Sequence, residues 1–175
     1  MESARTAASS GTLNINLDAI AENYRLIRSE TSAEVSACVK ADGYGLGLVP
    51  VARTLSQAGC STFFVATALE GAELRSLLPK ATIYVLNGLY EGSERLFEAE
   101  DLRPCLSSLE EVRDWAAYCG QTGPLSAALH ADTGIRRLGV QFHDLGAVTD
   151  LAASFETDLV MSHLACADDA DHPLN

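Results

Sequence analysis

Six short stretches of the chain are dense in apolar, β-branched or aromatic residues and are separated by more polar segments. They span residues 34–40, 62–66, 82–87, 101–106, 125–131 and 157–163. Several are nearly continuous apolar runs, without the alternation of period two that marks a half-exposed strand. Such runs are typical of parallel strands that are covered on both faces, so we predict six buried strands.

Helical patterns lie between and before these runs. Apolar residues recur at spacings of three and four over residues 17–27, 48–55, 109–116 and 145–151. Ser107 and Glu110 stand three positions apart before the third of these segments, which indicates a capping box there. A further strand-like piece at residues 12–17 precedes the first helix and has no place in the repeat of strands and helices.

The alternation of strands and helices predicts a parallel α/β fold, with one βα unit in roughly 20 to 30 residues. Six units fit either an open doubly wound sheet or part of a (β/α)₈ barrel of the TIM type. A complete barrel takes about 250 residues, whereas this chain has 175. The barrel alternative therefore implies truncation after about six βα units, with a disordered polar tail over residues 1–11 and an incomplete barrel domain over residues 12–175.

Charge and cysteine usage narrow the class of function. The net charge of −12 opposes binding to nucleic acid or to an anionic membrane surface. The five cysteines include no C-x-x-C pair, which argues against a zinc site and favours a reducing compartment. The polar start has no apolar signal segment, and no run reaches the length of a membrane span. We therefore expect a cytoplasmic protein without a metal site.

Lys40, one of only two lysines, stands where a predicted strand breaks into glycines. Functional groups of parallel α/β folds collect at the carboxyl ends of strands. Burial there disfavours the charged ammonium, and a neutral amine is a nucleophile able to form a Schiff base with an aldehyde. The alternative is a lysine whose ammonium reaches solvent from a strand end, as we expect for Lys80. Tyr44, between two glycines, either contacts a ligand oxygen or packs in the turn.

Further polar groups stand at other predicted strand ends. His130 ends the fifth strand, Arg137 follows in the segment "DTGIRRLG", and His163 ends the sixth. An arginine in this position suits recognition of a carboxylate or phenolate oxygen. Each residue alone is also compatible with a purely structural role. Together with Lys40, they predict a site for an anionic cofactor at one mouth of a barrel.

Three motifs resemble those of one enzyme family. "VKADGYGLG" resembles the lysine signature V-K-A-D-A-Y-G-H-G of the alanine racemases, which are fold-type III enzymes dependent on pyridoxal 5′-phosphate (PLP). "DTGIRRLG" resembles the family's D-T-G-M-x-R-x-G, and "SHLACAD" its T-H-F-A-x-A-D. "NINLDAIAENYRLIR" matches the family's opening, a strand followed by a helix. The likeness runs in order from about residue 12 to residue 170.

The resemblance implies a role for each matching residue. Lys40 is similar to the lysine that forms the internal aldimine and acts as one racemisation base. Tyr44 corresponds to the tyrosine near the cofactor phosphate. Arg137 corresponds to the arginine that contacts the cofactor's phenolic oxygen and the substrate carboxylate. His163 lines the region of the cofactor ring, and Leu86 packs beside it.

The resemblance also implies an isomerase that interconverts L-alanine and D-alanine and supplies D-alanine for peptidoglycan. Family members are homodimers with a second, mainly β domain. That domain carries the opposing tyrosine base, and the resemblance implies that the arginine facing the pyridine nitrogen lies beyond Asn175, so neither can be assigned within this chain. We therefore expect the 175-residue chain to be an N-terminal fragment that is inactive alone.

One departure from the family and two alternatives remain open. The family often has a carbamylated lysine where this chain has His130, so Arg137 must be held in another way. One alternative is a non-catalytic PLP-binding barrel protein of the PLP-homeostasis kind. The other is a fragment that does not fold stably, since an incomplete barrel has two unpaired edges.

Overall fold

The computed structural model describes residues 11–174, so the predicted tail lies outside the described residues except for Gly11. Its helices are α1 (Leu17–Ser29), α2 (Lys40–Tyr44), α3 (Leu48–Gln57), α4 (Ala68–Leu77), α5 (Glu94–Ala99), α6 (Leu109–Thr122) and α7 (Leu145–Leu151). Its strands are β1 (Ala37–Cys38), β2 (Thr62–Val65), β3 (Thr82–Val85), β4 (Arg103–Leu106), β5 (Ser126–Ala131) and β6 (Glu156–Ser162). Short 3₁₀ turns at Phe142–Asp144 and Ala152–Ser154 flank α7. All six predicted strands are therefore present.

The strands form one parallel sheet in the sequential order β1-β2-β3-β4-β5-β6. Helices connect the successive strands, as a parallel sheet requires. Within this register, Cys38 of β1 lies beside Phe64 of β2, and Phe64 lies beside Tyr84 of β3. Parallel pairing in sequential order distinguishes the barrel type from the doubly wound type, in which the strand order reverses.

The sheet curls, as it does in the wall of a barrel. On a flat sheet β3 and β6 would lie about 14 Å apart, since neighbouring strands are about 4.8 Å apart. Nevertheless, the hydroxyl of Tyr84 on β3 donates a hydrogen bond to Asp158 Oδ1 on β6 over 3.1 Å. Arg103 on β4 forms an ion pair with the same carboxylate. Side chains from three strands thus meet on the concave face of an incomplete barrel.

Two apolar layers stabilise the sheet. Most of the core lies between its convex face and the helices, where Phe63, Ile83 and Trp115 have no exposed surface. A smaller cluster on the concave face contains Tyr84 and Cys105, packed with neighbouring aliphatic and aromatic side chains. None of the helices in residues 11–174 is both long and apolar enough to cross a membrane.

The structure corrects three local predictions. The strand-like piece at residues 12–17 is not a strand: residues 11–16 are irregular and exposed, and Asn16 Oδ1 instead accepts a hydrogen bond from the Ala19 N–H and caps α1. No strand among residues 11–174 pairs with this piece, so its backbone groups have no ladder to join. The first strand is shorter than its apolar run, and the cap of α6 is Ser108 rather than Ser107.

Arg75 joins the loops at the amino ends of the strands. Its Nε donates to the carbonyl of Glu100 over 2.9 Å, and its Nη1 donates to the carbonyls of Pro79 and Ala81 over 3.1 and 2.7 Å. Its Nη2 donates to the carbonyl of Asp101 over 2.6 Å. The guanidinium thereby holds together the segments that lead into β3 and β4, and its side chain is only 12% exposed.

We expect Arg75→Lys to lower the free energy of unfolding by about 2 kcal/mol, because an ammonium cannot reach four carbonyls at once and hydrogen bonds to charged groups are worth about 1.5 to 3 kcal/mol. Urea titration of purified protein measures the change. The exposed Arg113→Lys is the matched control and should differ from wild type by less than about 0.5 kcal/mol. Equal midpoints for Arg75→Lys and wild type would contradict this role.

Candidate active site

A cavity of about 510 Å³ opens at the carboxyl ends of the strands, a size that suits a small organic ligand. All five site residues predicted from the sequence line it: Lys40, Tyr44, Leu86, Arg137 and His163. His130 lines it as well. The structure therefore brings together groups that are up to 123 positions apart in the sequence, while their individual roles stay predictions.

Lys40 opens a turn of left-handed helix. The four residues that follow it, Ala41, Asp42, Gly43 and Tyr44, have φ values of 53°, 53°, 62° and 57°. L-residues rarely adopt this conformation consecutively, because each places its Cβ close to a carbonyl oxygen at a cost of about 1 to 2 kcal/mol. The chain therefore leaves β1 along a path that surrounding contacts must hold in place, with the half-buried Lys40 at its start.

Hydrogen bonds close this turn internally and tie it to α3. The N–H of Gly43 donates to the carbonyl of Val39 over 2.9 Å, and the N–H of Gly47 donates to that of Asp42 over 2.8 Å. The carboxylate of Asp42 accepts a 2.6 Å hydrogen bond from the N–H of Leu48, the first residue of α3. Gly43 and Gly47 supply positive φ values to this segment.

Tyr44 extends across the mouth of the cavity. Its side chain is largely exposed, and its hydroxyl donates to the Cys38 thiol over 3.4 Å. This hydrogen bond is the largest cause that raises the pKa of Tyr44, followed by partial burial. Cys38 ends β1 two positions before Lys40, and both residues line the cavity. The phenol is thus held beside Lys40 by a residue that sequence analysis did not single out.

The loop after β5 presents Arg137. Asp132 shapes this loop, since its Oδ1 accepts from the N–H of Gly134 over 2.9 Å and from the N–H of Arg136 over 3.1 Å. Its Oδ2 accepts from Gln141 Nε2 over 3.0 Å. The bond from Gln141 is the largest of the causes that lower the pKa of Asp132. Within residues 11–174, no carboxylate lies within ion-pair distance of the exposed Arg137 guanidinium.

His130 lies deeper, at the carboxyl end of β5, and only 5% of it is exposed. Its Nδ1 lies 3.2 Å from Ser107 Oγ, whereas its buried Nε2 has no hydrogen-bond partner among residues 11–174. Burial is the main cause that lowers the pKa of His130, and the nearby His163 and Arg137 add to it. His130 is therefore a neutral imidazole near pH 7.

The described side chains that line the cavity carry positive charge or none. Among the residues that line it within the described chain, the ionisable side chains are cationic or neutral, and none is an aspartate or a glutamate. The chain as a whole carries a net charge of −12. A cavity with an amine, a guanidinium and imidazoles but without a carboxylate attracts an anionic ligand, while the remaining surface repels one.

Sequence reasoning missed several lining residues: Cys38, Phe64, Asn87, Leu138 and Met161. The pairing register of β1 and β2 explains one of them. Phe64 lies directly beside Cys38 and stacks on Tyr84 with ring centroids 5.0 Å apart. Its side chain must then share the concave face with the chain around Lys40. Asn87 and Leu138 lie in loops, where no periodicity indicates the direction of a side chain.

The fold and the site define a class: a parallel βα-barrel protein whose cavity at the strand ends offers one lysine amine within a cationic lining. The family model for the alanine racemase N-terminal domain matches residues 15–175, nearly the whole chain. The chain belongs to the alanine racemase family.

Curated relatives agree over the same range. The chain is 43% identical to the alanine racemase of Rhizobium meliloti over 179 residues, an alignment that covers 100% of this chain and 47% of that protein. It is 44% identical to the biosynthetic alanine racemase of Agrobacterium fabrum over 167 residues, covering 93% of this chain and 43% of that protein. The chain thus spans less than half the length of these relatives.

A solved structure agrees with the fold. The alanine racemase of Bartonella henselae, whose crystal structure has covalently bound pyridoxal phosphate, superposes with a TM-score of 0.87 at 34% sequence identity. The match covers 91% of this chain and 48% of that one. The prediction of an incomplete (β/α)₈ barrel is therefore confirmed.

We expect the stability of the protein to fall as the pH drops through about 6.5, because unfolded His130 binds a proton there while buried His130 resists it. A His130→Gln variant has no such titration. The difference in free energy of unfolding between wild type and the less stable variant should therefore shrink by about 1 kcal/mol from about pH 7.5 to about pH 5.5. Urea titrations at both pH values measure the difference. Equal slopes for wild type and His130→Gln would contradict the assignment.

Proposed function

We propose that this chain is the cofactor-binding part of a PLP-dependent amino-acid racemase that interconverts L-alanine and D-alanine. The observation that carries the proposal is the position of Lys40, the only lysine that lines the cavity, within a lining that contains no carboxylate among the described residues. An amine among cationic groups suits a ligand that is both an aldehyde and a phosphate ester.

The residues present fit PLP by their chemistry. Lys40 offers the amine that would bond to the aldehyde carbon. Arg137, which no carboxylate within residues 11–174 neutralises, is free to contact the cofactor's phenolic oxygen or a substrate carboxylate. Tyr44 offers a hydroxyl at the mouth for the phosphate, and Leu86 supplies apolar surface beside His163.

Bound PLP would supply an electron sink that stabilises the negative charge left when the α-proton of an amino acid departs. Lys40, released from the aldehyde carbon when the substrate's amino group takes its place there, would then act as a base, since its free Nζ can take the α-proton on one face of the substrate or, in the reverse direction, deliver a proton to that face. Arg137 would orient the substrate through its carboxylate. His130 would add no charge to this arrangement, because burial and the nearby His163 and Arg137 lower the pKa of its imidazole.

The remaining parts of the enzyme are proposed from the family. The relatives named alanine racemase are more than twice as long as the matched region, so we propose a second, mainly β domain that supplies the opposing base. We further propose that the full-length protein is a cytoplasmic homodimer that supplies D-alanine for the cell wall.

PLP mixed with the purified chain and reduced with borohydride should become attached to Lys40, because only this lysine lines the anion-attracting cavity. Mass mapping of the labelled peptide measures the site. Lys80 is the matched control: it lines a separate cavity of about 370 Å³ near the amino ends of the strands. Lys80→Ala should keep the label and Lys40→Ala should lose it. Label on Lys80 or on the N-terminus instead of Lys40 would overturn the proposal.

A further inference from the structure

The carboxylate of Glu70 joins the loop that carries Lys40 to the neighbouring strand–helix loop. Its Oε1 accepts a 2.8 Å hydrogen bond from the N–H of Ala41, 29 positions earlier in the chain. Its Oε2 accepts from the N–H of Ala66 over 2.7 Å and more weakly from that of Thr67 over 3.4 Å. Both oxygens of one side chain are thus occupied by backbone donors from the loops that follow β1 and β2.

Ala41 is the place where such support is needed. It directly follows Lys40 and is the first residue of the left-handed turn, with φ 53°. The left-handed conformation is destabilising for a residue with a Cβ. A short hydrogen bond from a backbone amide to a carboxylate is strong and can offset that cost. The bond from Ala41 to Glu70 therefore favours the turn over the extended path that β1 would otherwise follow.

A second glutamate repeats the arrangement elsewhere in the sheet. Glu111 occupies the third position of α6, as Glu70 does in α4, and its Oε2 accepts from the N–H of Ser107 over 2.6 Å. Its carboxylate also lies against the backbone of Gly88, in the preceding strand–helix loop. A carboxylate in the same helical position thus lies between the loops after β3 and β4, away from the segment around Lys40.

We propose that Glu70 is a positioning residue for Lys40: by accepting the Ala41 N–H, it fixes the left-handed turn that directs the lysine amine into the cavity. Glu70 does not line the cavity, so it acts through the backbone and not on the ligand. The consequence for cofactor capture rests on the proposed function, whereas the consequence for the turn does not.

Glu70→Gln tests this proposal, with Glu111→Gln as the matched control. Glutamine has the same shape but only one acceptor oxygen, so each Gln variant loses the bonds of one carboxylate oxygen, whereas Glu70→Ala and Glu111→Ala lose both and must show the same contrast. In cofactor-free protein, hydrogen exchange at the Ala41 amide should become about tenfold faster in Glu70→Gln and stay unchanged in Glu111→Gln. The rate of PLP capture at Lys40, trapped with borohydride, should fall about tenfold in Glu70→Gln only.

The outcomes separate the proposed PLP-binding function from the positioning role of Glu70. No capture by wild type would contradict the proposed function, while exchange at Ala41 would still decide the role of Glu70. Wild-type exchange and wild-type capture in Glu70→Ala would overturn the inference, as would equal losses in the Glu70 and Glu111 variants, because those would indicate general loop destabilisation. If Glu70→Gln does not fold, Glu70→Asp keeps the charge but withdraws the carboxylate from Ala41, and it should show the same two effects.

Discussion

Parallel pairing of successive strands is the constraint on which the rest of this structure depends. It directs every strand–helix loop to one edge of the sheet, so side chains from distant positions must meet there. Curling of the sheet then turns that edge into a mouth, across which Lys40 after β1 shares a cavity with Arg137 after β5 and His163 after β6. The site therefore exists only if the register of all the intervening strands is correct.

Acidic side chains do not line the cavity in the described chain but stabilise the loops and strands around it. Asp132 shapes the loop of Arg137, Glu70 and Glu111 bridge neighbouring loops, and Asp158 closes the inner face of the sheet with Arg103. Each of these acidic groups is satisfied by backbone or side-chain donors away from the ligand space. The result is a cavity suited to an anion within an acidic protein.

The sequence allowed the strands and several residues that line the cavity to be predicted, because both depend on simple patterns. Near-continuous apolar runs identify buried strands, and Lys40, Arg137 and His163 stand at or just after their ends. The left-handed turn was not predictable in the same way: "KADGYGLG" contains suitable glycines, but nothing local forces Ala41 into positive φ. That conformation depends on Glu70, a contact across 29 positions that no spacing rule indicates. The strand predicted at residues 12–17 does not form, although the local sequence has β propensity. No strand of the described chain lies beside it to pair with.

An electron-density map of the chain crystallised with PLP tests the central claim most directly, namely that the left-handed turn presents Lys40 to an anionic aldehyde in this cavity. We expect continuous density from Lys40 Nζ to the cofactor, with Ala41 to Tyr44 still in the left-handed conformation and the guanidinium of Arg137 facing the ligand. Cofactor density outside the cavity, or a turn rebuilt as right-handed helix or extended strand around a bound cofactor, would contradict it.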